Sequence, residues 1–192
     1  MNMIIKEFKV VLPDWVENLT LPTKIKGEEE KMAFVIELSK LNVTHKTGGP
    51  FSAAVFAGDV LVSIGVNRVV PSECSLAHAE MVALSLAQAK LKTFDLGGKD
   101  MPVHSMYVNA QPCCMCYGNV IWSGIREVVV AATSKDVEEI TGFDEGPVRD
   151  DWMQQLEKRN ISFREGLLRD KACEILKLYK ESGSIIYNGR EA

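Results

Sequence analysis

His78-Ala79-Glu80 and Pro112-Cys113-Cys114-Met115-Cys116 carry the residue types from which a hydrolytic metal centre can be built. Cys113 and Cys116 stand three apart, so in the first turn of a helix their sulfurs emerge on one side. The positive end of that helix favours thiolate, the form that ligates metal. His78 opens a second predicted helix, and two helix starts at neighbouring strand ends can converge on one point. One imidazole and two thiolates are one ligand short of a closed structural zinc site. The open fourth position takes water and brings its pKa to roughly 7. Side chains at a helix start lean towards the N-terminus, so Glu80 can reach the same space. A carboxylate there that does not ligate can take a proton from the water and return it to a leaving group, work worth ~10²–10⁴-fold. A structural zinc site or a redox dithiol are the competing uses of the cysteines. Cys114, one residue along, points away from the Cys113–Cys116 side and reads as a packed neighbour.

The elements that must position these residues follow from patterning and punctuation. The segment 1–23 reads as irregular, broken by Pro13 and Pro22. A helix is predicted over 28–41, with Met32, Val35, Ile36 and Ser39 on one stripe and Phe34, Leu38 and Leu41 on another. Runs at 51–57 and 60–66 around Gly58-Asp59 predict a hairpin. Then follow a helix over 76–90, a strand over 103–109, a helix over 112–123 opened by proline, and a buried strand over 126–133. Short helices near 135–140 and 148–158, a strand over 161–167 and a last helix from 168 complete the order. This predicts one domain over 1–192, a three-layer α/β/α fold on a mixed five-stranded sheet. The 27 residues between Thr133 and Ile161 permit a crossover, hence a parallel pairing of the fourth and fifth strands, where a hairpin would force an antiparallel one.

Composition bounds the function. The 192 residues suit one domain, and 46% hydrophobic with 25% charged is an ordinary folded balance. With 22 basic and 26 acidic residues the formal net charge is -4, which argues against binding carried by phosphate contacts. No run of ~18 apolar residues suggests a membrane span, and the N-terminus lacks a secretory pattern, so a cytoplasmic location is expected. Five cysteines, three of them within four residues, do not form a disulfide framework. Cys74 and Cys173 read as small buried hydrophobes. His45 and His104 have no motif around them and read as surface or core residues.

The H-A-E and P-C-x-x-C segments together resemble the zinc signature of the cytidine-deaminase-like superfamily, a signature stated for nucleobase deaminases. Within it, Gly48-Gly49-Pro50-Phe51, Asn67, Ala83-Leu84, Pro112 to Trp122 and Gly142-Phe143-Asp144-Glu145 resemble the bacterial guanine deaminases, over most of the chain from Gly48 to Tyr187. That resemblance implies zinc on His78, Cys113 and Cys116, with Glu80 as proton shuttle for attack on C2 of guanine. It implies that Glu145 meets ring nitrogens and assists proton transfer to the amine. Asp144 competes for that role, and either acid also reads as an ordinary solvated loop carboxylate. Asn67 would pair with the purine edge; without the resemblance it reads as a turn residue. Ala79 is expected beside the substrate. Phe51 and Trp122 are candidate walls for a flat base, though aromatics at such positions also serve as plain core. Ile185-Ile186-Tyr187-Asn188 resembles the terminal segment that closes the pocket in these enzymes, often across an exchanged dimer. Tyr187 is thus a candidate substrate contact, the segment 184–192 a candidate closure, and a homodimer the expected assembly. One departure is Gln111, where the purine and tRNA branches usually carry glutamate.

Two other readings share the metal centre. A deaminase of another small heterocycle (an aminotriazine, another aminopurine or cytosine) differs only in its pocket contacts. A tRNA adenosine deaminase needs a basic groove, whereas from Ser134 onward there are 10 basic and 13 acidic residues. A silent zinc scaffold would have no use for Glu80.

Overall fold

The computed structural model describes residues 4–189. Its hairpin turns where expected: Gly58 takes φ +58°, accessible to a residue without Cβ, and joins β1 (Ser52–Ala57) to β2 (Val60–Val66). Ala57 pairs with Val60 across the turn, and the register shifts at a bulge between Val55 and Phe56. The remaining strands are β3 (His104–Ala110), β4 (Glu127–Ala132) and β5 (Ser162–Arg164). The sheet runs β2-β1-β3-β4-β5. β1 is antiparallel to β2 and β3, whereas β3, β4 and β5 are parallel. The long connection before β5 therefore does what its length permits.

Six helices cover the two faces: α1 (Glu28–Thr44), α2 (Ala79–Leu91), α3 (Cys114–Ser123), α4 (Ser134–Thr141), α5 (Trp152–Glu157) and α6 (Arg169–Glu181). Strand alternation divides the core in two. Ala54, Phe56, Tyr107, Val129 and Ala131 pack with α1 and α6 residues such as Met32, Val35 and Leu176. Ala53, Val55, Met106, Val108, Val128 and Val130 pack with Ala83 and Leu84 of α2 and Val120 of α3. Strands apolar on both sides are what a covered parallel sheet requires. This is the expected three-layer α/β/α fold on a mixed five-stranded sheet. No helix among the described residues is long and apolar enough to cross a membrane.

Several boundaries differ from the sequence expectation, each for a local reason. α1 continues three residues past 41, until Lys46 at φ +56° turns the chain. α2 begins at Ala79 rather than 76, and α3 at Cys114 rather than 112. His78 and Cys113 are the preceding N-caps, with extended ψ of 154° and 173°. α5 starts at Trp152, four residues later than expected. β5 is only three residues long, because Gly166 at φ +87° and Leu168 at φ +56° bend the chain into α6. Of the irregular N-terminal segment, residues 4–23 contain only the 3-10 turn Asp14–Val16, which buries Trp15 and lets its indole nitrogen donate to Thr47 at 2.9 Å. Residues 1–3, and 190–192 of the C-terminal closure, lie outside the described residues.

Candidate zinc centre and substrate cavity

The N-cap placement sets the metal geometry. With His78 and Cys113 each just ahead of a helix, their side chains project into the space between the starts of α2 and α3. His78 Nδ1 lies 3.5 Å from Cys113 Sγ, and the ligand atoms of His78, Cys113 and Cys116 all lie within 4.8 Å of one another. A tetrahedral zinc with bonds of about 2.0–2.3 Å needs donors roughly 3.5 Å apart, so the donor set fits in both kind and spacing. Cys116 is fully buried and Cys113 nearly so. Cys114 is absent from the cluster and sits against Gly146, where a Cβ would meet its sulfur at 2.6 Å.

Electrostatics of the site follow the donor arrangement. The hydrogen bond from the Cys116 thiol, followed by His78, pulls the Cys113 thiol down to about 4. The same bond, with burial, pushes Cys116 well up. Burial works against a charged His78, but its contact with Cys113 and the nearby Glu80 carboxylate outweigh that and raise it. Glu80, in the first turn of α2 and 5% exposed, is raised to about 7 by burial and then by the Cys113 thiolate. Bound zinc would offset the thiolate charge that these acids face.

Beside the cluster lies a cavity of about 110 Å³, room for several waters rather than one. Phe51, His78, Glu80, Cys113, Glu145 and Tyr187 line it, together with Gln111, Phe143, Asp144 and the terminal Asn188 and Gly189. The loop after α4 delivers the two acids differently. Asp144 is exposed, and its carboxylate accepts from Gly146 N at 2.8 Å, a local turn. Glu145 is 8% exposed, and its carbonyl accepts from Cys114 N at 3.1 Å, which ties the loop to the start of α3. Burial, then the charges of Cys113 and Glu80, raise the Glu145 carboxyl to about 9. Of the two acids, Glu145 is the buried one.

Asn67, just past the end of β2, is 1% exposed. Its Oδ1 accepts from Gly49 N and Val69 N, both at 3.3 Å, which leaves Nδ2 as its remaining polar group. Among the described residues Nδ2 has no partner, and neither has the buried hydroxyl of Tyr187. The side chains of Asn67 and Tyr187 both approach Gly49, where a Cβ would meet Tyr187 Oη at 2.8 Å and Asn67 Oδ1 at 3.2 Å. Unpaired buried polar atoms are costly enough to need a reason.

The terminal segment of the same chain closes the cavity. Tyr187 packs on Phe143 with ring centroids 4.7 Å apart, and Phe143 in turn meets Phe51 at 5.3 Å. Tyr179 donates to Ile185 O at 2.6 Å. Of the expected substrate contacts, Phe51, Asp144 and Tyr187 are on the wall. Asn67 and Ala79 are buried but not part of the lining. Trp122 is 79% exposed near the end of α3 and takes no part in the cavity; at that helical position its ring faces away from the sheet. Phe143 and Asn188 lie within motifs that the sequence displays, but apolar and amide side chains carry no spacing signal that assigns them a role.

A guanine deaminase from Nitrosomonas europaea is 46% identical, with a TM-score of 0.87 over 94% of this chain and 100% of its own. A structure of NE0047 in complex with 2,6-diaminopurine is 49% identical, with a TM-score of 0.87 over 95% of this chain and 97% of its own. The guanine deaminase of Bacillus subtilis (strain 168) is 30% identical over 123 residues, 64% of this chain and 75% of its own. A tRNA-specific adenosine deaminase of Buchnera aphidicola is 29% identical over 127 residues, 66% of this chain and 77% of its own. Residues 26–132, more than half of the chain and all three zinc-type ligands included, match the cytidine and deoxycytidylate deaminase zinc-binding region. The chain belongs to that zinc-dependent deaminase family.

Proposed function

We propose that this protein hydrolyses guanine to xanthine and ammonia. The observation that carries guanine over other bases is the likeness to a guanine deaminase over 94% of this chain and all of the other. The zinc held by His78, Cys113 and Cys116 would supply an acidified water at neutral pH. Glu80 accepts the proton of that water as it adds to C2 and passes it to the neighbouring ring nitrogen. Glu145, buried and raised towards its protonated form, holds a proton for the departing amine and hydrogen-bonds the ring nitrogens. The Asn67 Nδ2, unpaired among the described residues, suits the guanine carbonyl oxygen or an unprotonated ring nitrogen, both acceptors. Phe51, Phe143 and Tyr187 give the base apolar walls and exclude water.

An anticodon loop fits less well. The mouth carries Asp144, and the adjoining loop carries Asp150 and Asp151, charges that repel phosphate. A homodimer in the cytoplasm completes the reading. Exposed Leu76, Leu86 and Trp122 around α2 and α3 are suited to burial against a second copy. The terminal segment reaches its own chain's cavity, so closure needs no exchange between copies. The decisive experiment is ammonia release by the zinc-loaded protein over free bases, nucleosides and an anticodon stem-loop. Guanine is expected to react fastest; activity on the stem-loop alone would overturn the reading.

A further inference from the structure

A second cleft of about 410 Å³ adjoins the substrate cavity, and the two share Gln111 and Glu145 as lining residues. Glu138 and Asp150 add negative charge to it, and Val148 and Trp152 give it an apolar side. The one cation there, Arg149, is occupied by Asp151, its Nε donating at 2.7 Å and its Nη2 at 3.2 Å. The shared wall offers one side-chain amide and one carboxyl group. Gln111 Oε1 accepts from Ser134 N at 3.2 Å, which fixes the amide so that Nε2 is its free donor. The Glu145 carboxyl, more than nine-tenths buried, takes no hydrogen bond among the described residues. An amide N–H can donate to neutral ammonia, and the carboxylates of Glu138 and Asp150 beyond it can accept from ammonium.

Closure of the substrate side gives the cleft a use. Tyr187 and Asn188 cover the base, and xanthine cannot leave until they move, but ammonia is no larger than water. We propose that the cleft beyond Gln111 and Glu145 is the exit and binding site of the released ammonia, which leaves without opening of the terminal segment. The proposal rests on the deaminase reading above. Cleavage of the C2–N bond frees neutral ammonia. It passes between Gln111 and Glu145, takes a proton from water and enters solvent as ammonium past Glu138 and Asp150, leaving hydroxide to the buffer.

Two variants of the zinc-loaded enzyme test this with guanine as substrate. Val148→Trp narrows the cleft without touching the cavity. Its first turnover should keep the wild-type rate while steady-state turnover falls by about tenfold, as for an enzyme limited by product release. Ammonium chloride, compared with sodium chloride at equal ionic strength, should inhibit the wild type in a way that saturating guanine does not relieve. Glu138→Gln should weaken that inhibition about threefold, the scale of one exposed charge contact. Unchanged steady-state turnover in Val148→Trp, or ammonium inhibition that guanine relieves and Glu138→Gln leaves intact, would overturn the proposal. Should no base react, the deaminase reading fails by itself. The cleft is then judged by broadening of the ¹⁵N-ammonium proton signal by wild type and by Glu138→Gln, and equal broadening rejects it.

Discussion

Asn188 clasps the backbone on the way to Glu145: its Oδ1 accepts from Asp144 N and its Nδ2 donates to Gly142 O, both at 2.9 Å. One side chain thus joins the terminal segment to the loop that carries the buried acid. Tyr187, the neighbouring residue, closes the cavity, so opening for the base must break the clasp, while the bond from Cys114 N to the Glu145 carbonyl still holds the loop to α3.

Asn188→Ala is therefore expected to raise KM for guanine about tenfold. The clasp consists of two hydrogen bonds, each worth about 0.5–1.5 kcal/mol. Zinc content should stay unchanged, since no ligand is touched. Steady-state kinetics with metal analysis checks both, and an unchanged KM would show that closure does not depend on this amide.

Asn67 has separable duties. Asn67→Ala strands the N–H groups of Gly49 and Val69, at a cost of about 1–3 kcal/mol. It also removes the unpaired donor, so affinity for guanine falls. Asn67→Asp restores the acceptor but not the donor. Denaturant titration should show stability largely recovered, while kcat/KM remains as low as in Asn67→Ala.

Glu80→Gln should keep zinc and lose about 10²–10⁴-fold in turnover, because the amide cannot carry a proton between water and substrate. Full turnover in a protein with one zinc per chain would remove Glu80 from the reaction.

Chelation should expose a reactive thiolate. With Cys113 held down to about 4 by the Cys116 thiol and His78, the metal-free protein carries it ionised at pH 7. Iodoacetamide should label Cys113, on the cavity wall, ahead of Cys116 and Cys173. Zinc should protect it, as peptide masses would show.

The ligands were legible because metal chemistry restricts residue type and spacing together. His78, Cys113 and Cys116 needed only their motif, and the same motif carries Glu80 to the cavity wall. Strands such as β4 were equally plain from Val128, Val129 and Val130. What the pattern could not specify was the cap. Helical periodicity runs on through Leu76 and Pro112, yet extended ψ at His78 and Cys113 starts each helix later and aims the ligands forward. Trp122 lies off the cavity for a related reason. Aromatic character alone does not say which side of α3 meets the cavity, and the exposed side took it. That Glu145 is buried and Asp144 exposed rests on a turn within the loop, where Asp144 accepts from Gly146 N, a detail with no periodic signal.

Asp136 offers a pH test remote from the metal. It forms a capping box with Thr133 at the start of α4 and an ion pair with Arg169 of α6, thereby joining two helices on one face of the sheet. Arg169, followed by the Thr133 groups, lowers its carboxyl from 3.8 to about 2. A carboxyl lowered on folding contributes stability above its unfolded value and loses it as pH falls through the folded one. Asp136→Asn keeps the acceptor for Thr133 but removes the charge, so it should cost about 1 kcal/mol at pH 7, the low end for a charged hydrogen bond because Arg169 is half exposed. The gap between wild type and variant should hold from pH 7 to about 4 and close towards pH 2. Urea titrations across that range would show it, and a gap that does not change with pH would mean that the ion pair adds nothing to the join between α4 and α6.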